Sequence, residues 1–141
     1  MNIISGGVCA AKGFRANGIH CGIRKNHSKK DLALIYSEVP ASAAAVYTTN
    51  LVKGAPLLVT RDHIADGRAR AILCNSGNAN TCNADGVEVA QAMCALVADQ
   101  LSIPAEDVVV ASTGVIGQRL NITPIAAGLP DLAAGLNCDG I

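Results

Sequence analysis

A short segment in the last third of the chain places a hydroxyl side chain and flexible backbone directly after a buried strand. Val108–Val110 is an apolar, β-branched run that predicts a core strand. Ser112-Thr113-Gly114 follows, and glycine lets the backbone adopt positive φ and lets a ligand approach. An oxyanion site needs donors fixed where negative charge develops, and the Thr113 hydroxyl and Gly114 N–H are suitable donors. Thr113 and Gly114 are therefore candidate catalytic residues, although a tight turn is the other interpretation of this pattern.

A second polar segment follows another predicted strand. Residues 70–75 form an apolar run that ends in Asn75-Ser76-Gly77-Asn78-Ala79-Asn80. Asparagine tolerates left-handed backbone and bonds its own main chain, so a turn is the simplest interpretation, but three amides are more than a turn requires. If the two strands are neighbours, both polar segments meet in one crevice at the strand ends.

The elements around these segments predict an α/β arrangement. The clearest helix runs from about residue 85 to 101, with apolar side chains at steps of three and four. The order strand, helix, strand predicts two parallel strands joined by a crossover. Thr123-Pro124 predicts the start of a helix that ends at Gly128, Pro130 predicts a break, and 131–136 predicts another helix.

The N-terminal half is predicted to add strands to the same sheet. Residues 5–14 are rich in glycine and predict irregular backbone. Four segments predict strands: 19–23, 31–37, 43–49 and 55–60. The second and third are expected to pair as an antiparallel hairpin with a break at Pro40, and 61–67 predicts a short helix or turn with His63 on its surface. The predicted fold class is therefore α/β, a mixed sheet packed with helices.

Composition excludes several classes of function. The chain has 141 residues, enough for one domain, and half of them are hydrophobic, but the aromatic residues are only Phe14, Tyr36 and Tyr47. The formal net charge is zero, so no basic field or aromatic stacking surface indicates nucleic-acid binding. One basic cluster, residues 24–30, is interpreted as a solvated loop, with a weak electrostatic attraction for carboxylate substrates as the alternative.

The cysteines predict reduced thiols and no metal site. Six cysteines occur without a CxxC pair, and the three histidines share no ligand spacing with them. No secretory leader or membrane-length apolar stretch is visible, so a cytoplasmic protein with small core cysteines at Cys74 and Cys94 is expected. No histidine is placed to activate a thiol nucleophile.

Five segments occur in an order typical of one family: Gly7–Gly18, Lys30–Ile35, Val46–Asn50, Asn75–Cys82 and Ser112–Gly117. They resemble the ornithine acetyltransferase family of arginine biosynthesis, also called glutamate N-acetyltransferase. The resemblance covers roughly residues 5 to 128, and its last two motifs are highly specific in combination.

The resemblance implies a concrete chemistry. Members are made as one precursor that cuts itself into an α chain and a β chain, and the new N-terminal threonine of the β chain is the nucleophile. That threonine takes acetyl from N-acetylornithine and passes it to glutamate. Carried over by motif, Thr113 and Gly114 form the oxyanion hole. The implied fold is an αββα layering completed by the partner β chain in a hetero-oligomer, with no cofactor except acetyl-CoA as a further acetyl donor, which the sequence leaves open.

Departures from the family pattern define the expected extent of the domain. Residues 1–141 are expected to be the N-terminal, α-chain portion, incomplete at its C-terminus, because the Lys-Gly-Ala segment before the cleavage point is missing. Lys53-Gly54-Ala55 precedes Pro56 and is not that segment, and Leu120-Asn121 stands where the family often has Leu-Pro. The chain alone is therefore expected to be inactive. Two alternatives stay open: an aminopeptidase-like hydrolase with an N-terminal nucleophile, which would use water as acceptor, and a truncated, non-catalytic binding module.

Overall fold

The computed structural model describes residues 5–139 and has the predicted mixture of helices and strands. Its helices and strands are β1 (Phe14–Ile19), β2 (Leu32–Ser42), α1 (Ala55–His63), β3 (Arg68–Asn78), α2 (Gly86–Leu101), β4 (Val108–Val115) and α3 (Thr123–Ala134). Single 3₁₀ turns occupy Gly7–Ala10, Ile64–Asp66 and Ala105–Asp107. Within residues 5–139, no helix combines the length and the hydropathy needed to cross a membrane.

The strands form one mixed sheet in the order β1-β2-β3-β4. β1 and β2 are antiparallel, as are β2 and β3, whereas β3 and β4 are parallel. The predicted strands around 70–75 and 108–110, the helix between them and their parallel pairing are thus confirmed. Helix α2 begins directly after Asp85, whose side chain makes no cap hydrogen bond and pairs with Arg119 instead.

The core lies on one face of the sheet. Leu34, Leu73 and Val110 stand side by side on adjacent strands and are almost completely buried. Helices α2 and α3 pack on this face, and Asn17 of β1 donates a hydrogen bond of 2.9 Å from Nδ2 to Leu132 O of α3. The core therefore consists mainly of aliphatic side chains, which pack closely between helices and sheet in a chain with few aromatic residues.

The opposite face of the sheet is less covered. The next row along the strands is Ile35, Ile72 and Val109, and Ile72 is 37% exposed. A cavity of about 380 Å³ lies over this row, beside residues 43–45. The two faces therefore differ sharply in packing.

Two predicted strands in the N-terminal half are wrong. Residues 43–49 belong to no helix or strand, and 55–60 begin helix α1. The short apolar run at 55–60 fits either element, but Pro56 lies in the first turn of α1, a position where its missing N–H costs nothing. Because 43–49 pairs with nothing in β2, the predicted hairpin is also wrong.

Other boundaries differ for local reasons. The predicted strand at 19–23 is shifted, since β1 ends at Ile19. β2 continues through Pro40 because the proline sits at an irregularity in the pairing with β3, between Tyr36 and Ala41, where no ladder N–H is required. Helix α3 likewise continues through Pro130, with Leu129 and Leu132 buried on its core side. The predicted break and second helix there are one helix.

Candidate functional site

The two polar segments lie side by side at the ends of β3 and β4. Ser76 is the partner of Thr113, and Gly77 is the partner of Gly114. The expectation that they converge is therefore confirmed. Neither is a turn that follows its strand, however, because β3 extends to Asn78 and β4 to Val115. The pairing even continues beyond both strands, where Gly117 donates its N–H to Thr81 O at 2.9 Å.

Gly114 and Gly77 approach each other too closely for any side chain. A Cβ atom on Gly114 would lie 2.3 Å from the carbonyl carbon of Gly77, and Gly114 has a φ of +133°. Gly77 has a φ of +114°, and a Cβ there would meet Arg24 Cγ at 2.9 Å. Glycine is required at both positions for backbone conformation and for space. The motif therefore brings two main chains together where Thr113 and Gly114 are exposed.

Helix α1 covers the free edge of β4, but only over its first half. Thr60 Oγ1 accepts the Val110 N–H at 3.3 Å and donates to Val110 O at 3.1 Å. His63 Nδ1 donates to Val108 O at 2.7 Å. His63 is thus half-buried and structural, which corrects the expectation of a surface residue. Sequence reasoning missed both residues; the available signal was Pro56, which marks the start of a helix.

The main-chain groups of Gly114 point to the part of this edge that α1 leaves open. Alternate residues of a strand direct their N–H and C=O groups to opposite edges. Val110 bonds α1, whereas Val115 O accepts the Ala79 N–H on the β3 side. The N–H groups of Ser112 and Gly114 therefore face the same edge as Val110. Helix α1 starts beside Ser112, where a cavity of about 220 Å³ is lined by Pro56, Leu57 and Ser112 among others.

The asparagines next to the site hold its backbone in place. Asn75 Nδ2 donates to Asn78 O at 2.9 Å, and Asn78 Nδ2 donates to Gln118 O at 2.8 Å. Asn80 Nδ2 donates to Gly86 O at 2.8 Å and ties the segment to the start of α2. All three asparagines are buried. Their amides bond main-chain carbonyls and so hold the backbone of this segment in place.

The basic cluster also reaches this region. Arg24 Nη1 donates to Ser76 Oγ at 2.8 Å, and a cavity of about 570 Å³ lies between the loop and the strand ends, lined by Arg24, Lys25, Gly77 and Gly114 among others. The loop is anchored by Asp31, which is buried. Burial opposes the ionised form of Asp31, but hydrogen bonds from the N–H groups of Arg24 and Cys21 outweigh it and lower the pKa of the carboxyl.

Burial makes two of the thiols, Cys21 and Cys94, poor nucleophiles. Burial raises the pKa of the Cys94 thiol to about 12, and burial together with Asp31 raises that of Cys21 to about 11. Cys94 is a core residue as predicted, whereas Cys74 is only half-buried. Residues 5–139 contain no cluster of three potential metal ligands.

Comparison with known proteins places the chain in a family. The family model described as "ArgJ family" matches residues 15–140. The arginine biosynthesis bifunctional protein ArgJ of Caldanaerobacter subterraneus is 46% identical over 141 residues, covering 99% of this chain and 34% of that protein. The protein of the same name from Gloeobacter violaceus is 50% identical, covering 96% of this chain and 34% of its own length. This chain therefore spans about a third of the length of these relatives.

Solved structures agree with the sequence comparison. The ornithine acetyltransferase of Mycobacterium tuberculosis, crystallised in complex with ornithine, superposes with a TM-score of 0.87 at 40% identity, covering 94% of this chain and 72% of that one. The bifunctional ArgJ protein of Bacillus halodurans has a TM-score of 0.82 at 46% identity, covering 87% of this chain and 64% of that one.

Fold and sequence thus define an α/β protein whose relatives are named as arginine biosynthesis proteins. The chain belongs to the ArgJ family, and the resemblance noted from its motifs is confirmed. The predicted α/β class with a mixed sheet is confirmed as well.

Proposed function

We propose that the complete protein transfers an acetyl group from N-acetylornithine to glutamate, and that this chain supplies the oxyanion hole through Thr113 and Gly114. The names of its relatives and the ornithine complex of the mycobacterial relative support these substrates. The observation that carries the proposed role is the end of β4, where a hydroxyl and an N–H lie together on a rigid, glycine-paired backbone. Rigid donors cost no reorganisation when charge develops on the substrate.

The proposed nucleophile is the N-terminal threonine of a partner β chain, produced by self-cleavage. Its hydroxyl oxygen attacks the acetyl carbonyl carbon, and its own α-amino group accepts the hydroxyl proton. The carbonyl oxygen becomes an oxyanion that accepts hydrogen bonds from Thr113 Oγ1 and the Gly114 N–H. The tetrahedral intermediate collapses as the C–N bond breaks, and the proton passes to the leaving amine, which yields ornithine and an acetyl-threonine.

The second half-reaction reverses these steps with another amine. The amino group of glutamate attacks the acetyl-threonine ester, the same two donors stabilise the oxyanion, and N-acetylglutamate leaves. No cofactor is needed for this cycle, and acetyl-CoA is a further proposed donor to the same threonine. We place this chemistry in the cytoplasm and the active unit in an assembly of α and β chains, with this chain inactive by itself.

Mass spectrometry and an acceptor assay test this function together. The complete protein, expressed from its gene, should give two polypeptides, the second beginning with threonine. With N-acetylornithine, the second polypeptide should gain one acetyl group, and added glutamate should remove it as N-acetylglutamate. Release of free acetate at the same rate without glutamate would instead favour a hydrolase. A single uncleaved polypeptide that accepts no acetyl group would favour a binding module.

A further inference from the structure

Two cysteines from opposite ends of the described chain lie close together in space. Cys9 belongs to the 3₁₀ turn Gly7–Ala10, and its Sγ contacts Asn137 O at 3.6 Å as a weak thiol donor. Cys138 is the next residue along the chain. A trans peptide places its oxygen ~2.8 Å from the Cα atom of the following residue, so Cys9 Sγ lies within about 6.5 Å of the Cys138 Cα atom.

The position of Cys138 is fixed by strand β1. The Ala16 N–H donates to Asn137 O at 3.0 Å, and the Asn137 N–H donates to Ala16 O at 3.3 Å, which makes an antiparallel bridge. The residues next to this pair, Arg15 and Cys138, therefore face each other across the two chains. The pKa of the Arg15 guanidinium agrees with this placement, because Glu38 raises it most and charge on Cys138 adds to the increase.

The separation and the mobility that a disulfide needs are both present. The Cα atoms of a disulfide usually lie about 4.4–6.8 Å apart, and the two sulfurs must approach to about 2 Å. A small shift of either segment closes the remaining distance. The turn Gly7–Ala10 buries none of its residues, and Cys138 is exposed, so such a shift disturbs no core packing.

The remaining cysteines of this chain are less suited to such a reaction. Cys94 is buried in the core, and Cys21 is partly buried beside Asp31. Cys82 is as exposed as Cys138 but belongs to the segment between β3 and α2. Cys82 therefore serves as the matched control, an accessible thiol outside the contact between residues 9 and 137–138.

We propose that Cys9 and Cys138 are a modification site, which forms a disulfide with glutathione disulfide as oxidant and ties the N-terminal turn to the segment after α3. The exposed Cys138 thiolate attacks one sulfur of glutathione disulfide and releases one glutathione thiolate. The Cys9 thiolate then attacks Cys138 Sγ in the mixed disulfide and displaces the second glutathione. The two cysteines lose two electrons and two protons, and the two released glutathiones gain them.

A purely structural thiol is the competing explanation. Cys9 would then serve only as a weak hydrogen-bond donor to Asn137 O. The two explanations differ in the product of oxidation. Unlinked thiols each gain the mass of one glutathione, whereas the proposed pair loses two hydrogens and gains no glutathione.

Peptide mapping of the complete protein is the first test, after incubation with graded ratios of oxidised to reduced glutathione and alkylation of the free thiols. Cleavage by trypsin after Lys12 and Arg119 places Cys9 and Cys138 in separate peptides, and the other four cysteines of this chain lie between those two sites. We expect these two peptides to be recovered joined, and to separate on reduction. Glutathione adducts on both, with no joined peptides at any ratio, would overturn the proposal.

Serine variants identify the two sulfurs. Cys9→Ser should abolish the joined peptides and leave a glutathione adduct on Cys138, and Cys138→Ser should abolish the joined peptides as well. Cys82→Ser should leave their yield unchanged. Joined peptides that persist in Cys138→Ser, or that disappear in Cys82→Ser, would overturn the assignment.

Thermal unfolding tests whether the bond ties the two segments in the native fold. A link between residues 9 and 138 closes a long loop and restricts the unfolded chain. Oxidation should therefore raise the melting temperature of the complete protein by about 5 °C, and it should not do so in Cys9→Ser. No increase in the wild type, or an equal increase in Cys9→Ser, would contradict the proposed tie. None of these measurements requires acetyl transfer, so their outcome is independent of the proposed reaction.

Discussion

The two halves of β4 differ in how their free edge is used. In the first half, α1 occupies the main chain, with Thr60 bonded to Val110 and His63 bonded to Val108. The second half extends past the N-terminal end of α1, so the N–H of Gly114 faces a part of the edge that α1 leaves open. The first half is also buried, whereas Thr113 and Gly114 are exposed.

Under the proposed function, this difference would let one strand serve stability and chemistry at once. An unpaired strand edge is a liability, and side chains of α1 satisfy it over the first half of β4. Beyond the N-terminal end of α1, the same alternation of N–H groups would present the proposed donors to a substrate. The covered half would then provide the rigid support that fixed donors require.

The largest expected effect is a loss of both stability and activity at Gly114. In Gly114→Ala, the added Cβ would overlap the Gly77 main chain in a backbone conformation that already strains an L side chain. We expect a loss of about 3 kcal/mol in unfolding free energy and of transfer by more than ~1000-fold. Denaturant unfolding and steady-state kinetics of the complete protein measure the two effects.

Gly117→Ala is the matched control for this prediction. Gly117 also has positive φ, at +76°, but a Cβ there meets nothing within 4 Å. Its cost should be only the backbone strain, about 1 kcal/mol. If Gly114→Ala and Gly117→Ala lost the same stability and activity, the close approach of β4 to β3 at Gly114 and Gly77 would not be what makes Gly114 essential.

Asp31→Asn tests the loop that faces the open half. The folded pKa of Asp31 is lowered, so its contribution to stability is complete above its unfolded pKa of about 4 and is lost as the pH falls through the folded value. We expect the variant to be less stable by about 2 kcal/mol at pH 7 and the difference to shrink below about pH 4.

Unfolding midpoints at neutral and acidic pH measure this effect. Asp62→Asn is the control, because Asp62 is exposed and pairs only weakly with its neighbour Arg61, so its change should stay within about 0.5 kcal/mol. A difference between wild type and Asp31→Asn that does not depend on pH would show that the carboxylate charge is not what holds the loop.

Thr60→Val addresses the covered half alone. The substitution keeps the shape of the side chain but removes both hydrogen bonds to Val110. We expect a loss of about 1–2 kcal/mol in unfolding free energy, with faster hydrogen exchange at the Val110 amide. Acetyl transfer should stay close to wild type. A large fall in kcat at unchanged stability would mean that the two halves are not separate in function.

The smallest effect is expected at Cys94. Its thiol is buried, has a pKa raised to about 12, and donates weakly to Val108 O at 3.4 Å. Cys94→Ala should cost about 1 kcal/mol of stability and leave the transfer rate unchanged. Loss of the acetyl-enzyme in this variant would point to a thiol nucleophile.

The parts of the fold that could be predicted are those with one strong pattern. The helical periodicity of 85–101 and the β-branched run at 108–110 allow a single interpretation, and both were confirmed. The run at 55–60 is short and mostly apolar, so its local pattern fits a strand or a helix. Its helical state depends on packing against β4, which no local pattern contains. The predicted break at Pro40 is wrong because a bulge tolerates proline, and the position of a bulge depends on the partner strand.

The candidate site shows the same limit. Thr113 and Gly114 could be selected as candidate donors because strand, hydroxyl and glycine are consecutive in the chain; their role stays a prediction. The approach of Gly77, the bond from Arg24 to Ser76 and the edge cover by His63 join residues distant in sequence. These contacts follow from the order of the strands in the sheet. Local patterns in one sequence do not contain that order.

The most direct test of the oxyanion role is the rate of acetyl-enzyme formation in Thr113→Ala. The complete protein is mixed with N-acetylornithine, and the acetylated β chain is followed by intact mass at short times. Ser112→Ala, which removes the neighbouring hydroxyl, serves as the control. We predict a rate about 100- to 1000-fold lower in Thr113→Ala with unchanged thermal stability, and a rate close to wild type in the control. A rate close to wild type in Thr113→Ala would contradict the assignment.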